Sequence, residues 1–382
     1  MSEYQKYFAE TQNMVRATVR KFVEQEIIPN VAEWEKQGQL PRSLYEKAGA
    51  AGILGISYSE EWGGSFTGDV FSKIAAIEEI ARCGSGGVWA SFGSHDIGLP
   101  PILNWGSPEL KARICPAVLR GEKIQALAIT EPSGGSDVAN IKTRAVKEGD
   151  HYVVNGAKTF ITSGANADYY TVAVRTGGEG YAGISLLLIE KGTPGFSVGS
   201  KLEKMGWRAS DTAELFFEDC RVPVTNLIGQ ENAGFYAIMS NFQMERLSLA
   251  VTANITSELA LEECLRYVKE REAFGRPIST FQVIKHKLAE MATQLEASRE
   301  FTYRIGARID AGESVVKEIS MVKNFATNVS DFCTNQAVQI FGGMGYMQES
   351  LVERLYRDNR ILSIGGGTYE IMNEVIAKRM GL

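Results

Sequence analysis

Glu245 stands on a stretch of sequence whose spacing belongs to the apolar face of a helix. Around it, Phe235, Ile238, Met239, Phe242 and Leu249 recur at the period of an amphipathic helix. Glu245 follows Phe242 by three positions and precedes Leu249 by four, so it falls on the same stripe. A carboxylate there loses water, which disfavours its ionised form and raises its pKa unless a neighbour compensates. Such a group is either tied to a cation or poised as a base. Periodicity by itself favours the plainer outcome, in which the stripe rotates and Glu245 meets solvent or pairs with Arg246.

Three glycine-bearing segments could carry chemistry beside it. The stretch through Leu127 and Ala128 reads as a strand that runs into Ile129-Thr130-Glu131-Pro132-Ser133-Gly134-Gly135-Ser136-Asp137. Adjacent glycines after a strand permit positive φ and a close backbone approach to a ligand. Amides and hydroxyls there could hold a phosphate or the polar edge of a ring, although a Gly-Ser turn explains the segment equally well. Gln339-Ile340-Phe341-Gly342-Gly343-Met344-Gly345-Tyr346 reads as a helix C-cap and turn. Gly365-Gly366-Gly367 precedes a final helix for which Thr368 serves as N-cap, and three consecutive glycines exceed what a cap needs. No G-x-G-x-x-G joins a strand to a helix, which excludes a Rossmann reading. His95-Asp96 reads as an ordinary cap or surface pair, with a second acid/base role for Asp96 as the alternative.

The elements that must position these residues fall into three regions. Residues 1–125 read as helices, with Tyr7, Met14, Val15, Val19, Phe22, Val23 and Ile27 at helical spacing and a turn over Glu61–Gly68. Residues 126–230 carry short β-branched and aromatic runs between turns, with no useful helix among them. That texture predicts an antiparallel barrel or sandwich. Residues 231–382 carry long helical patterns over 234–272, 280–312 and 314–341, which predict a four-helix bundle. The fold class is thus mainly α with a central β domain.

Composition excludes several functions. The 382 residues carry a net charge of -6 and no dense Lys/Arg block, which argues against a nucleic acid or an anionic membrane as partner. Five separated cysteines and three histidines, none at metal-ligand spacing, predict a reducing compartment without disulfides or a metal. The opening Met1-Ser2-Glu3-Tyr4 enters a helical pattern directly, and no 18-residue apolar run follows, so no membrane insertion and a cytoplasmic location are expected.

Together these motifs resemble the acyl-CoA dehydrogenase family over nearly the whole chain. Thr130-Glu131-Pro132 with Gly134-Gly135-Ser136-Asp137, Gly156-Ala157-Lys158-Thr159-Phe160-Ile161-Thr162 and Lys204-Met205-Gly206-Trp207-Arg208-Ala209-Ser210-Asp211-Thr212 match its middle signatures. Arg271-Glu272-Ala273-Phe274-Gly275, Phe281-Gln282 and Gln339 to Gly343 resemble its FAD-diphosphate and adenosine contacts, some of which come from a neighbouring subunit in the family. The resemblance implies FAD as cofactor, held by Leu127, Ile129, Thr130, Gly135, Ser136, Phe160, Ile161, Thr162, the segments just named including Ile340 and Gly342, and Thr368 and Glu370. It implies acyl-CoA contacts from Ser136, Gln243, Met244, Arg246, Gly366 and Gly367. It also implies an electron-transfer flavoprotein as acceptor and a homotetramer built as a dimer of dimers.

One departure bears on the base. The family's usual catalytic glutamate lies two residues before the threonine of the last glycine loop, and that position here is Gly366. A subset, including long-chain and isovaleryl-CoA dehydrogenases, carries the glutamate on the long helix instead, and Glu245-Arg246-Leu247 resembles its pattern. The resemblance implies that Glu245 takes the pro-R α-proton while a hydride leaves the β-carbon for flavin N5. The thioester oxygen is expected on a ribityl hydroxyl and the Gly366 N–H, and the product is a trans-2-enoyl-CoA. Gly365, where many relatives carry an aromatic residue, predicts room for medium, long or branched chains. The competing readings are an oxidase or monooxygenase that uses O₂, and a flavoprotein that binds without turnover.

Overall fold

The computed structural model describes residues 5–65 and 68–382; Met1–Tyr4, Phe66 and Thr67 lie outside the described residues, and with them part of the expected turn. The N-terminal region forms α1 (Glu10–Phe22), α2 (Val31–Gln37), α3 (Arg42–Ala50), α4 (Val70–Ala81), α5 (Gly86–Gly98), α6 (Pro100–Trp105) and α7 (Pro108–Leu119). α1 buries Val15, Val19 and Phe22 at helical spacing. Met14, expected on that stripe, is exposed, because one residue turns the helix face by about 100°. α4 starts where the Asp69 carboxylate accepts the Ser72 N–H at 2.7 Å. α5 starts where the Ser85 hydroxyl accepts the Val88 N–H at 3.2 Å.

The middle region is an eight-stranded sheet: β1 (Gln125–Ala128), β2 (Arg144–Glu148), β3 (His151–Thr162), β4 (Tyr169–Arg175), β5 (Ile184–Glu190), β6 (Phe196–Lys201), β7 (Thr212–Pro223) and β8 (Leu227–Ile228). Its main path runs β6-β7-β3-β2-β4-β5-β8, with β1 paired to β4. The strands are not all antiparallel as expected: β1 and β2 both lie parallel to β4. Parallel pairing needs a crossover connection, and here the β2–β3 hairpin supplies it in place of a helix. The β3/β7 ladder shifts register between Lys158 and Ile161. That irregularity puts Phe160 at φ +59° with its ring 68% exposed, while Ile161 returns to the core.

The C-terminal region packs α8 (Gly234–Glu270), α9 (Gln282–Asp310), α10 (Val316–Phe341), α11 (Leu351–Asn359) and α12 (Tyr369–Met380). The second long helix begins after the expected Thr280, because Ile278–Thr280 closes a 3₁₀ turn first. Met291, Cys264, Cys333 and Ala337 lie in the core shared by α8, α9 and α10. α10 stops at Phe341, where Gly342 takes φ +60°. From Arg246 to Ser257 every residue of α8 is buried, so this helix runs through the middle of the molecule. That is why the apolar period fades there: a helix covered all round has no polar face to alternate with.

Candidate active site

Glu245 sits where α8 enters this covered stretch. Its Oε2 is buried and has no hydrogen-bond partner among the described residues. Arg246 does not tie it up, because its Nε donates to the Gly366 carbonyl at 3.1 Å. Burial pushes the Glu245 carboxyl up to about 7, opposed by the charges of Arg246 and Lys323. Lys323, on α10, is fully buried and donates to the Gly367 carbonyl at 2.6 Å. Burial and the Arg246 charge bring the Lys323 ammonium down to about 8. Lys323 was not among the candidate residues, although Ile319, Lys323 and Ala326 repeat the spacing that singled out Glu245.

The glycine loop meets this corner from the other side. Gly366 holds φ +63° and Gly367 φ +99°, left-handed values that favour glycine. A Cβ built on Gly366 lies 3.6 Å from Glu245 Oε1 and 2.7 Å from Leu249 Cδ1. A side chain at 366 and the carboxylate of Glu245 therefore aim at the same space. Thr368 caps α12 as expected, its hydroxyl accepting the Ile371 N–H at 3.3 Å. Glu370 is exposed in the first turn, where the helix amides hold its carboxyl below the usual range.

The middle domain supplies an open cradle. Past β1, Thr130 accepts the Thr159 N–H at 2.9 Å through its carbonyl, which ties the loop to β3. Lys158, buried beneath, donates to the Ile129 carbonyl and to Glu131 Oε1, both at 2.9 Å. Glu131 also accepts the amides of Lys142 and Thr143, and with the Lys158 charge these hold its carboxyl below the usual range. Gly135 and Ser136 are exposed, Gly134 has open space at its Cβ position, and Phe160 on β3 is exposed one residue after the Thr159 amide that holds the loop. Such an exposed ring and glycine loop fit a flat heteroaromatic cofactor. Ile129 and Ile161 are buried in the core, their carbonyls accepting from Lys158 Nζ and the Gly164 N–H, so their side chains do not face the cradle, and Leu127 packs against the cluster that α6, α7 and α8 share with the sheet. Thr162 is half-buried. Lys158→Met would leave Glu131 charged and buried, so a loss of about 3 kcal/mol and of the bound cofactor is expected in a chemical melt. An unchanged midpoint would show that the pair carries nothing.

Other candidates lie at a distance. Arg271, Phe274, Phe281 and Gln282 follow the far end of α8, and Gln339, Ile340, Gly342 and Gly343 close α10 at the same end, where Tyr267 stacks on Phe341 with ring centroids 4.0 Å apart. Phe274 is 95% exposed, its ring edge on Phe281, and Gly342 and Gly343 are open, whereas Ile340 is buried. The helical rise puts this end about 37 Å from Glu245 along α8. The residues expected to hold one cofactor therefore fall into two groups that this chain does not itself bring together.

The His95-Asp96 reading needs correcting. His95 lies in the last turn of α5, buried against the Tyr45 ring, and burial brings its pKa down to about 4, so it is neither a surface group nor a cap. Asp96 accepts from Tyr58 and Lys73, both at 3.0 Å. These residues line a cavity of about 460 Å³ between α4, α5, α6 and α8, closed on the α8 side by Ser240, Asn241 and Met244. Gln243 and Met244 are half-buried just before Glu245.

A half-buried glutamate with one buried, unpaired oxygen facing a glycine loop, together with an exposed ring and glycine loop on the middle sheet, suits a flavin-linked dehydrogenase. The chain belongs to the acyl-CoA dehydrogenase family: the models for its N-terminal, middle and C-terminal domains match residues 9–122, 126–220 and 232–381. It is an FAD-dependent oxidoreductase. It is 42% identical to the mitochondrial long-chain specific acyl-CoA dehydrogenase of Sus scrofa over 98% of this chain and 87% of that one. A solved probable acyl-CoA dehydrogenase from Mycobacterium abscessus superposes with a TM-score of 0.96 at 53% identity, covering 98% of this chain and 100% of the other. An acyl-CoA dehydrogenase from Bacillus anthracis, solved with FAD, does so at 0.92 and 32% identity, covering 98% and 68%. Among the described residues no helix is long and apolar enough to cross a membrane, and no group of acids, cysteines and histidines could hold a metal.

Proposed function

We propose that this protein oxidises medium-, long- or branched-chain acyl-CoA thioesters to trans-2-enoyl-CoA, with Glu245 as the base that removes the α-proton. The observation that carries the reading is the Glu245 carboxyl, whose Oε2 is buried without a partner and whose Oε1 lies 3.6 Å from the Gly366 Cβ position. Protons α to a thioester are weakly acidic, so their removal needs a positioned base and a donor for the developing enolate oxygen. Glu245 takes the proton, and the Gly366 N–H donates to the thioester oxygen. Arg246, Gly367, Gln243, Met244 and Ser136 orient the substrate around them. FAD, when bound, supplies the acceptor for the hydride that leaves the β-carbon. Phe160, Ile161, Thr162, Thr130, Gly135 and Ser136 would hold its ring, with Thr368 and Glu370 nearby.

Ionisation gives the reading a pH signature. The base works as a carboxylate and its pKa is raised to about 7, so the rate falls as pH drops through that value. A single-turnover profile should therefore have its acid limb near neutrality; a limb below pH 5 would contradict a buried base. Gly365 has no neighbour closer than 3.5 Å at its Cβ position, which supports room beside the substrate's first carbons. Dodecanoyl-CoA is expected to turn over faster than butyryl-CoA at equal low concentration, and equal rates would sink the chain-length assignment.

The separation of the two cofactor half-sites along α8 supports a homotetramer built from dimers, in which Arg271, Phe274, Phe281, Gln282, Gln339, Ile340, Gly342 and Gly343 of one copy complete the site of another. By light scattering the yellow species is expected no smaller than a dimer. A yellow monomer would rule this arrangement out. An electron-transfer flavoprotein as acceptor follows from the family resemblance. A cytoplasmic setting agrees with five free, buried cysteines.

A further inference from the structure

We infer that Lys323 is a positioning residue of the reaction, pinning the Gly367 carbonyl as Arg246 pins that of Gly366 and holding both the loop amides and the Glu245 carboxylate in place. The inference rests on the reading of Glu245 as the base. It starts from a contrast between two buried lysines. Lys158 pairs directly with a carboxylate, Glu131, as a buried cation ordinarily must. Lys323 is just as buried, yet its hydrogen bond goes to a backbone carbonyl. The acid it faces, Glu245, keeps an oxygen without a partner.

The geometry explains what the ammonium does instead. Gly366 and Gly367 hold positive φ and have no Cβ to restrict rotation, so sterics alone leave this turn loose. Arg246 from α8 and Lys323 from α10 each take one carbonyl of the turn. Asn324 continues the clamp, its Nδ2 donating to the Tyr369 carbonyl at 3.0 Å and to Asn373 Oδ1 at 3.1 Å. A fixed carbonyl fixes the amide of the residue after it, so Arg246 fixes the Gly367 N–H and Lys323 that of Thr368, the N-cap of α12. The Gly366 N–H lies one peptide earlier, at the start of the turn that is thereby held against two helices.

Charge adds a second effect. The charged groups at this corner are Glu245 and Arg246 from α8, Lys323 from α10, and Glu370 from α12, itself faced by Arg360. Two cations favour the ionised form of Glu245 against its burial. Removing Lys323 takes one away, so the carboxyl then titrates at higher pH.

The test is anaerobic single-turnover bleaching by saturating dodecanoyl-CoA as a function of pH, on FAD-loaded wild type, Lys323→Gln and Lys323→Arg. Lys323→Gln is expected to slow bleaching at its plateau by about tenfold or more and to move the acid limb up by about one pH unit. Half-saturation should stay within about threefold, since uniform binding is not what is lost. Lys323→Arg is expected to restore the limb. An unmoved limb in Lys323→Gln, or an arginine variant as impaired as the glutamine one, overturns the inference. Should Lys323→Gln fail to fold, Lys323→Arg decides: a wild-type limb with a slowed plateau supports the inference, and any other profile overturns it. Glu245→Gln, run alongside, separates the two ideas, because wild-type bleaching there would remove the base assignment itself.

Discussion

Glu245→Gln is expected to cut steady-state turnover of dodecanoyl-CoA by roughly 10⁴-fold, with the protein still folded and yellow. The amide fills the same volume but accepts no proton, so the chemistry is lost while packing is kept. The same variant should be more stable than wild type at pH 8. The sign follows from the raised pKa of Glu245, about 7 when folded. The folded state binds that proton more tightly than the unfolded chain does, so the group costs stability as pH rises from about 4.5 and costs it fully above 7. Removing the charge should return about 2–3 kcal/mol at pH 8 and nearly nothing at pH 4, read from chemical melts at both. A structural carboxylate would do the reverse, losing stability with its charge. Lost activity together with gained stability is the mark of a group kept for chemistry.

The second large effect is a rescue. In a Glu245→Gly background, Gly366→Glu is expected to recover bleaching by about 10²-fold over Glu245→Gly alone. The vector from the Gly366 α-carbon leads to the space that Glu245 Oε1 vacates, 3.6 Å from the Cβ position. Two costs keep the recovery short of wild type. The Leu249 Cδ1 methyl stands 2.7 Å from that Cβ and must turn aside, and a side chain at φ +63° costs about 1–2 kcal/mol. A double variant no faster than Glu245→Gly would mean that the two positions do not serve one proton.

Much of this site was legible before any coordinates, and the exceptions have physical reasons. Glu245 was visible because a charge interrupts an apolar period, and its lack of a partner decides between the two outcomes that the period left open. Lys323 obeys the same rule on α10, a charge at three- and four-residue spacing from buried apolar neighbours. The pairing of Lys158 with Glu131 is not legible, because an ion pair 27 positions apart leaves no periodic trace. The burial of His95 is silent for a related reason, since it lies at the end of α5 and the tyrosine that covers it comes from α3, 50 positions earlier in the chain. The order of helical, β and helical regions followed from local texture. The parallel pairing of β1 with β4 did not, because strand partners set by a long-range crossover are not written in neighbouring residues. Phe160 was named for its motif, whereas its outward turn depends on a register shift against β7 that only the paired strands reveal.

The central claim, that Glu245 takes the α-proton, is tested most directly by mixing the anaerobic yellow protein with dodecanoyl-CoA at pH 8 and following flavin absorbance in a stopped-flow cell. Wild type should bleach in a single turnover, and more slowly with substrate deuterated at the α-carbon, while Glu245→Gln at equal flavin content should keep its colour over the same interval. Bleaching of Glu245→Gln at the wild-type rate would contradict the account.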